Sequence, residues 1–302
     1  MSILANRHDI LVLFDVVNGN PNGDPDAGNM PRIDPTSNKG LVSDVCLKRK
    51  IRNYVANFVS PKEHESNSFN IFIRQGAVLN NLIDESEEDA KEKADPKKDR
   101  DKFEEAAKDW LCQRYFDLRA FGSVLSTKNK VFKGSAFGQV RGPIQFTFAR
   151  SFHPITPLEI SITRCAATNE KEKKSAESND EGTGGLRTMG DKHIIPYALY
   201  AAKVYVSPVF AEGTHFKDTD LEVFFEALQN MFSHDQSSAR PEMNVRAIYD
   251  FEHIGTQHPN NQEQNVHEAR LGCAHAHVLF DGIQVDLKDK ERTYPESFED
   301  YE

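Results

Sequence analysis

The sequence predicts an α+β domain enlarged by long polar insertions, and three features carry that reading. Residues 9–17 are apolar on both parities after Asp9, apart from Asp15, as in a central strand covered on two faces. Residues 144–148 and 158–163 alternate strictly, so each has one face to bury. Two polar stretches, 84–102 and 169–191, cannot bury themselves and read as insertions on that core.

The first strand runs into Asn18-Gly-Asn-Pro-Asn-Gly-Asp-Pro-Asp-Ala-Gly28, whose glycines can take φ > 0 or let another backbone approach. Ser43 then suits a helix N-cap. The helix behind it sets Val45, Leu47, Ile51, Tyr54, Val55 and Phe58 near one side and Lys48, Arg49 and Arg52 on the other. On an isolated helix such a face is ordinary solvated surface; behind a strand and a glycine-rich loop, phosphate contact competes with that reading.

The charge-dense stretch 84–102 is expected to be exposed and to hold no core. A helix follows with Phe103, Ala107, Trp110, Leu111, Tyr115 and Leu118 inward and Gly122 near its end. Residues 151–157 join the two alternating strands as a hairpin-like turn. Residues 169–191 are a flexible protrusion. Residues 204–210 form a strand with Pro208 at an edge or bulge. Thr219-Asp-Leu-Glu222 is a capping box opening a helix with Leu221, Phe224, Phe225, Leu228 and Met231 inward. Residues 273–280 are a last strand before an acidic tail.

Thirty-seven bases and 47 acids give the 302 residues a net charge of -10, which argues against a nucleic-acid partner at first sight. The distribution weakens that objection. Residues 84–109 carry 12 acids and 7 bases (-5), 281–302 carry 8 and 3 (-5), and 110–169 carry 2 and 8 (+6). A locally basic surface therefore remains available to phosphates. Four scattered cysteines, with no CxxC pair, imply no disulfide scaffold. No apolar run nears ~18 residues and no signal-peptide plan opens the chain, so no membrane partner and a cytoplasmic location are expected.

Signals for catalysis are weak. Cys273, His275 and His277, with His267, could approach zinc if they shared a strand face, but no HExxH or CxxC signature supports them. Asn18, Asn20 and Asn22 mimic a calcium loop whose bidentate position is Asn29, a neutral amide. Asp15, Asp24 and Asp26 could organise magnesium, although turn bonds and orientation of Asn or Arg partners suit them better. The Walker, GxGxxG and GxSxG patterns are absent. No catalytic residue, metal or cofactor is assigned. The positive features are the loop, the basic helix and a basic centre (Arg114, Arg119, Lys128, Lys130, Lys133, Arg141, Arg150, Arg164), which favour single-stranded or RNA binding along a groove.

The stretch from Phe14 to Arg32, with its Asn-Pro-Asn-Gly-Asp-Pro-Asp-Ala-Gly core, resembles the backbone subunit of type I CRISPR surveillance complexes. So do Leu41-Val-Ser-Asp-Val-Cys-Leu-Lys-Arg-Lys-Ile-Arg-Asn-Tyr54, Tyr115-Phe-Asp-Leu-Arg-Ala-Phe-Gly122, residues 138–150 and Met189-Gly-Asp-Lys-His-Ile-Ile-Pro-Tyr197. More narrowly, the chain is similar to the Cas-seven-type subunit of the type I-C (Dvulg) branch, over essentially its whole length. The resemblance implies a single modified RRM-like (ferredoxin-like) palm over 1–302, a helical finger insertion over 60–114 and a β-hairpin thumb over 165–195. It implies a non-catalytic subunit that polymerises head to tail along CRISPR RNA and leaves guide bases free to pair with target DNA. Adjacent copies, the other Cascade subunits (large, small and guide-handle-binding) and a recruited helicase-nuclease are the implied partners. The alternative is a metal-dependent endoribonuclease of the same superfamily, through Asp180 or Asp191. The residues expected at the RNA are Asn18, Asn20, Asn22, Gly23, Lys48, Arg49, Arg52, Arg141, Arg164, Arg187, Thr188, Met189, Lys192 and His193.

Overall fold

The computed structural model describes residues 2–60, 68–127, 129–164, 170 and 188–283, with the backbone alone at 163, 164, 188 and 189. The first half contains β1 (Arg7–Gly19), β2 (Gly23–Asp24), β3 (Met30–Pro31), β4 (Lys39–Val42), α1 (Asp44–Tyr54), α2 (Leu79–Asp84), α3 (Ser86–Lys93), α4 (Arg100–Arg114) and α5 (Phe116–Phe121). The second contains β5 (Gly122–Val124), β6 (Gln139–Arg141), β7 (Ile144–Phe146), β8 (Ala149–Pro154), β9 (Leu158–Arg164) and β10 (Thr188–Val206). It ends with α6 (Pro208–Thr214), α7 (Asp218–Asn230), β11 (Glu242–His253), α8 (Gln262–Leu271) and α9 (Ala276–Asp281). Among the described residues no helix is long and apolar enough to cross a membrane.

The result is a mixed α/β fold around one antiparallel sheet of order β11-β1-β10-β8-β4, with β7 and β9 also pairing to β10. β1 is central and covered on both faces, as its apolar parities require. Ile10, Val12, Phe14 and Val16 enter the main core with Leu47 and Ile51 of α1 and Leu221, Phe224 and Leu228 of α7. Leu11 and Leu13 face the other way, with Tyr197 and Leu199, under Phe280 of α9. A second core runs from Phe72 to Val140 through α2, α3, α4 and α5, reaching past Arg114.

Two buried ion pairs join the cores, and both use α5. Asp117 accepts from Arg52 Nε (2.7 Å), Phe72 N (2.6 Å) and Ile73 N (3.0 Å). Arg119 donates to Asp220 of α7 (2.6 Å) and to the carbonyls of Ser68, Cys112 and Gln113. The helix expected from Phe103 onward is thus two helices broken at Tyr115.

Several expectations are corrected. The 84–102 stretch does hold core: Ala90 is buried, because α3 packs on α4 while its charges pair along their own helix (Lys91–Glu87, Lys93–Asp89). Residues 144–163 do not form a hairpin; β7, β8 and β9 each pair with a different part of β10. The strand at 204–210 stops at Val206, and Pro208 opens α6, where its missing N–H and fixed φ fit the first helical turn. The N-cap of α7 is Lys217, whose N–H donates to Asp220 in the first turn (2.9 Å), and Thr219 lies inside the helix rather than at its start. Residues 273–280 are not a strand. Cys273 N donates to His253 Nδ1 (2.9 Å), the other ring nitrogen meets buried Asp9 (3.0 Å), and Phe280 seats its ring by Tyr205 and Phe251. The protrusion at 169–191 lies largely outside the described residues, as does the acidic tail.

Candidate nucleic-acid interface

The glycine-rich loop is a built structure rather than a slack connection. Gly23 and Asp24 pair with Pro31 and Met30, and a Cβ at Gly23 would collide with the Asn29 side chain. Gly28 sits in the left-handed region at φ 61°, as does Asn29 at 63°. Asp24 caps the short turn that follows (Asp26 N, 3.2 Å) and holds Arg32 (3.1 Å). Asn20 is buried, donates to Asn29 O (2.7 Å), and leaves its Oδ1 without a partner among the described residues.

Asn22 bolts this loop to α1. Its Oδ1 accepts from both N and Oγ of Ser43 (2.9 Å each), while Ser43 Oγ caps α1 at Cys46 N (3.4 Å). On the other flank, Asn20 N donates to Ala239 O (2.7 Å), and Lys192 of β10 reaches Ser238 (3.4 Å). The loop, the α1 N-terminus, the 231–241 connection and the first half of β10 therefore meet at the Gly19 end of β1.

The basic face of α1 is split. Arg49 is exposed and donates to Gln75 (3.4 Å); Lys48 is tied to Asp44 (3.0 Å). Arg52 is 8% exposed and belongs to the Asp117 pair, which removes it from the phosphate-facing set. Buried Lys50 instead pairs with Asp235, which also holds Arg240 (2.8 Å). Val45 (62%) and Phe58 (42%) are exposed, because α1 turns its Leu47–Ile51–Tyr54 stripe to the core. Among the described residues of this region, Arg49 and Lys192 are the cations without an ion pair.

The remaining expected residues separate. Lys192 and His193 lie opposite Ile160 and Glu159, and Thr188 opposite Arg164, on an arm of β9 and β10. Met189 is paired to Thr163 on the same arm, and Arg187 lies outside the described residues. Arg141 is exposed on β6, near the ring of Phe210 (5.6 Å), at the opposite end of the sheet. Ile144, three residues on, pairs with Val206 and through it with His8, so Arg141 lies toward the His8 end of β1 and away from the loop at its Gly19 end. Leu158, Ile160 and Ile162 share one arm face and are exposed, although their alternation predicted burial.

Asp15 orients protein partners, as its sequence context suggested: Arg246 Nε lies 2.6 Å from it and Asn244 3.5 Å. Burial pushes its carboxyl above the ordinary carboxylate range, and Arg246 recovers only part of that shift. The native state thus holds a proton there more readily than the unfolded chain. Asp15 should add stability as pH falls through its raised pKa and lose that contribution as pH rises. The stability difference between wild type and Asp15→Asn, from urea unfolding at about pH 7 and about pH 4, should shift toward the wild type in acid. A difference independent of pH rules this out. At Asp235 burial also pushes upward, but Lys50 and Arg240 more than offset it and the carboxyl ends below its ordinary value.

A family model described as CRISPR-associated protein Cas7 matches residues 6–302. The chain belongs to the Cas7 family. A curated Cas7 protein from Haloferax volcanii is 26% identical over 262 residues, covering 81% of this chain and 71% of the relative. A solved CRISPR RNA-guided surveillance complex contains a chain with a TM-score of 0.44 and 14% identity, covering 81% of this chain and 68% of that one. A type III-B Cmr-beta complex bound to cognate target RNA gives 0.43 and 10%, covering 82% and 61%. The family match, not these distant likenesses, sets the assignment. Sequence reasoning missed Lys50, Asp117 and Asp220 in this Cas7-family chain, because nothing local marks a charge whose partner lies far along the chain.

Arg49→Ala should lower the salt slope of RNA binding by roughly one, with stability unchanged to within about 0.5 kcal/mol. An unchanged slope in filter binding across salt would return Arg49 to plain surface.

Proposed function

We propose that the chain is a non-catalytic backbone subunit of a type I-C CRISPR surveillance complex. It binds CRISPR RNA through phosphates and polymerises with adjacent copies along it. The observation that carries this reading is the family match over residues 6–302, which takes in the loop, α1 and the β9–β10 arm together. The sheet order, with α1 and α7 in one core, supports an RRM-like, ferredoxin-type palm. The second core supports a helical finger reaching beyond 60–114, and the arm supports a thumb over 165–195.

In this reading Asn18–Gly23, Lys48, Arg49, Lys192 and His193 lie along the RNA, with Arg164, Arg187, Thr188 and Met189 toward the thumb tip. Arg141 serves a different neighbour or strand. Guide bases stay free for target DNA, while the other Cascade subunits and the helicase-nuclease join through the assembly.

The test is to purify the complex, extract and size its RNA, and incubate the subunit with guide RNA and magnesium. Uncut guide RNA of uniform length is expected. Shortening of the strand that Asp191→Ala abolishes would replace this reading with the endoribonuclease.

A further inference from the structure

A small polar cavity of about 190 Å³ opens in the second core between the Asn70–Arg74 segment, α2 and the end of α4. That is about six water volumes, room for one tetrahedral oxyanion and a water or two. Arg74, Arg114, Tyr115 and Glu85 line it. We propose that it binds a phosphate group, a reading that rests on the proposed RNA-binding function for the source of that phosphate but not for the site.

Neither Arg74 nor Arg114 has an ion pair among the described residues, although acids crowd this part of the chain. The Arg114 Nε is buried with no acceptor among the described residues, so the cavity wall presents a donor that an anion would satisfy. The guanidinium lies 5.2 Å from the Trp110 ring, which fixes its plane. Two guanidinium groups suit a phosphate because each can offer parallel N–H bonds to two oxygens. Tyr115 is buried and bonded to Arg114; burial and Glu85 push its hydroxyl upward, so it stays an O–H able to donate. Glu85 sets one negative charge against two positive ones and leaves the cavity net basic. Exposed Arg49 of α1 reaches Gln75, next to Arg74, so the cavity continues the basic side of α1. A backbone phosphodiester and a free phosphate are the two sources of the same chemistry.

Trp110 is the sole tryptophan, and its stacking on Arg114 makes its fluorescence a local reporter. The full chain is titrated with inorganic phosphate against chloride at matched ionic strength, then with guide RNA. A saturable fluorescence change is expected, about tenfold weaker in affinity for Arg74→Gln and for Arg114→Gln, and tighter for Glu85→Gln. Arg74 is exposed, so its variant keeps the test valid if Arg114→Gln misfolds. Competition between phosphate and RNA for this signal assigns the site to the strand backbone; independent binding assigns it to free phosphate. The absence of a saturable change with both ligands, or an Arg74→Gln response equal to wild type, overturns the site. RNA affinity measured separately by filter binding reports on the proposed function alone, so the two readings fail separately.

Discussion

Asp117→Ala is expected to cost about 3–5 kcal/mol of stability, a large share of the roughly 5–15 kcal/mol that holds a folded protein together. The carboxylate is 1% exposed and serves three donors from two places in the chain: Arg52 of α1 and the adjacent backbone N–H groups of Phe72 and Ile73. Truncation leaves a buried guanidinium uncompensated and two amides without acceptors. Asp117→Asn should cost nearly as much, since its amide turns a donor toward at least one of those donors. Pairing Asp117→Ala with Arg52→Met removes the stranded charge, so the double variant should lose less than the sum of the singles. Urea unfolding measures this cycle, and hydrogen exchange at Phe72 and Ile73 should accelerate in every variant at position 117. A loss below about 1 kcal/mol would show that water replaces the carboxylate, and the two cores would need another joint.

That pair also shows where sequence reading stops. β1 was legible because burial on both faces leaves an unbroken apolar run, and the N-terminus of α1 because Ser43 and the Leu47–Ile51–Tyr54 stripe are local signals. Arg52 was not, since a buried arginine and a solvated one read alike until a carboxylate 65 positions away is placed beside it. Arg119 is the same case, 101 positions from Asp220. β10 was read only near its end because its partners change along it. It pairs with β9 up to Ile194 and with β1 from Ile195, and Pro196, with no N–H to offer, sits at that change. The six residues of α9 are too few for period to separate helix from strand; Phe280, filling the space beside Phe251 and Tyr205, decides the outcome. In the candidate site the Asn-Gly-Pro loop could be located from its composition, but the clamp from Asn22 to Ser43 required the fold.

Deletion of residues 171–184 should leave a stable monomer and abolish the RNA-bound filament. Arg164 and Thr188 are direct cross-strand partners, so the chain from 165 to 187 only has to reconnect neighbouring strand ends. Shortening that connection from 23 residues to 9 lowers its closure cost by about 0.8 kcal/mol, so thermal stability should hold or rise slightly. Function should respond in the opposite direction. The deleted stretch is polar and glycine-rich and cannot repay its ordering by burying a core of its own, so in the proposed assembly it would order against RNA and the next copy. The arm that carries it already presents Leu158, Ile160 and Ile162 on one face, apolar area left exposed among the described residues. Limited proteolysis separates the two halves of the expectation: cutting within 171–184 in the free wild-type subunit, and protection once RNA is bound. Sizing of the deletion variant with guide RNA should then find single subunits where the wild type forms long particles. Equal cutting in both states, together with wild-type particle lengths from the deletion, would remove the segment from any coupling between copies and leave the arm as ornament on the sheet.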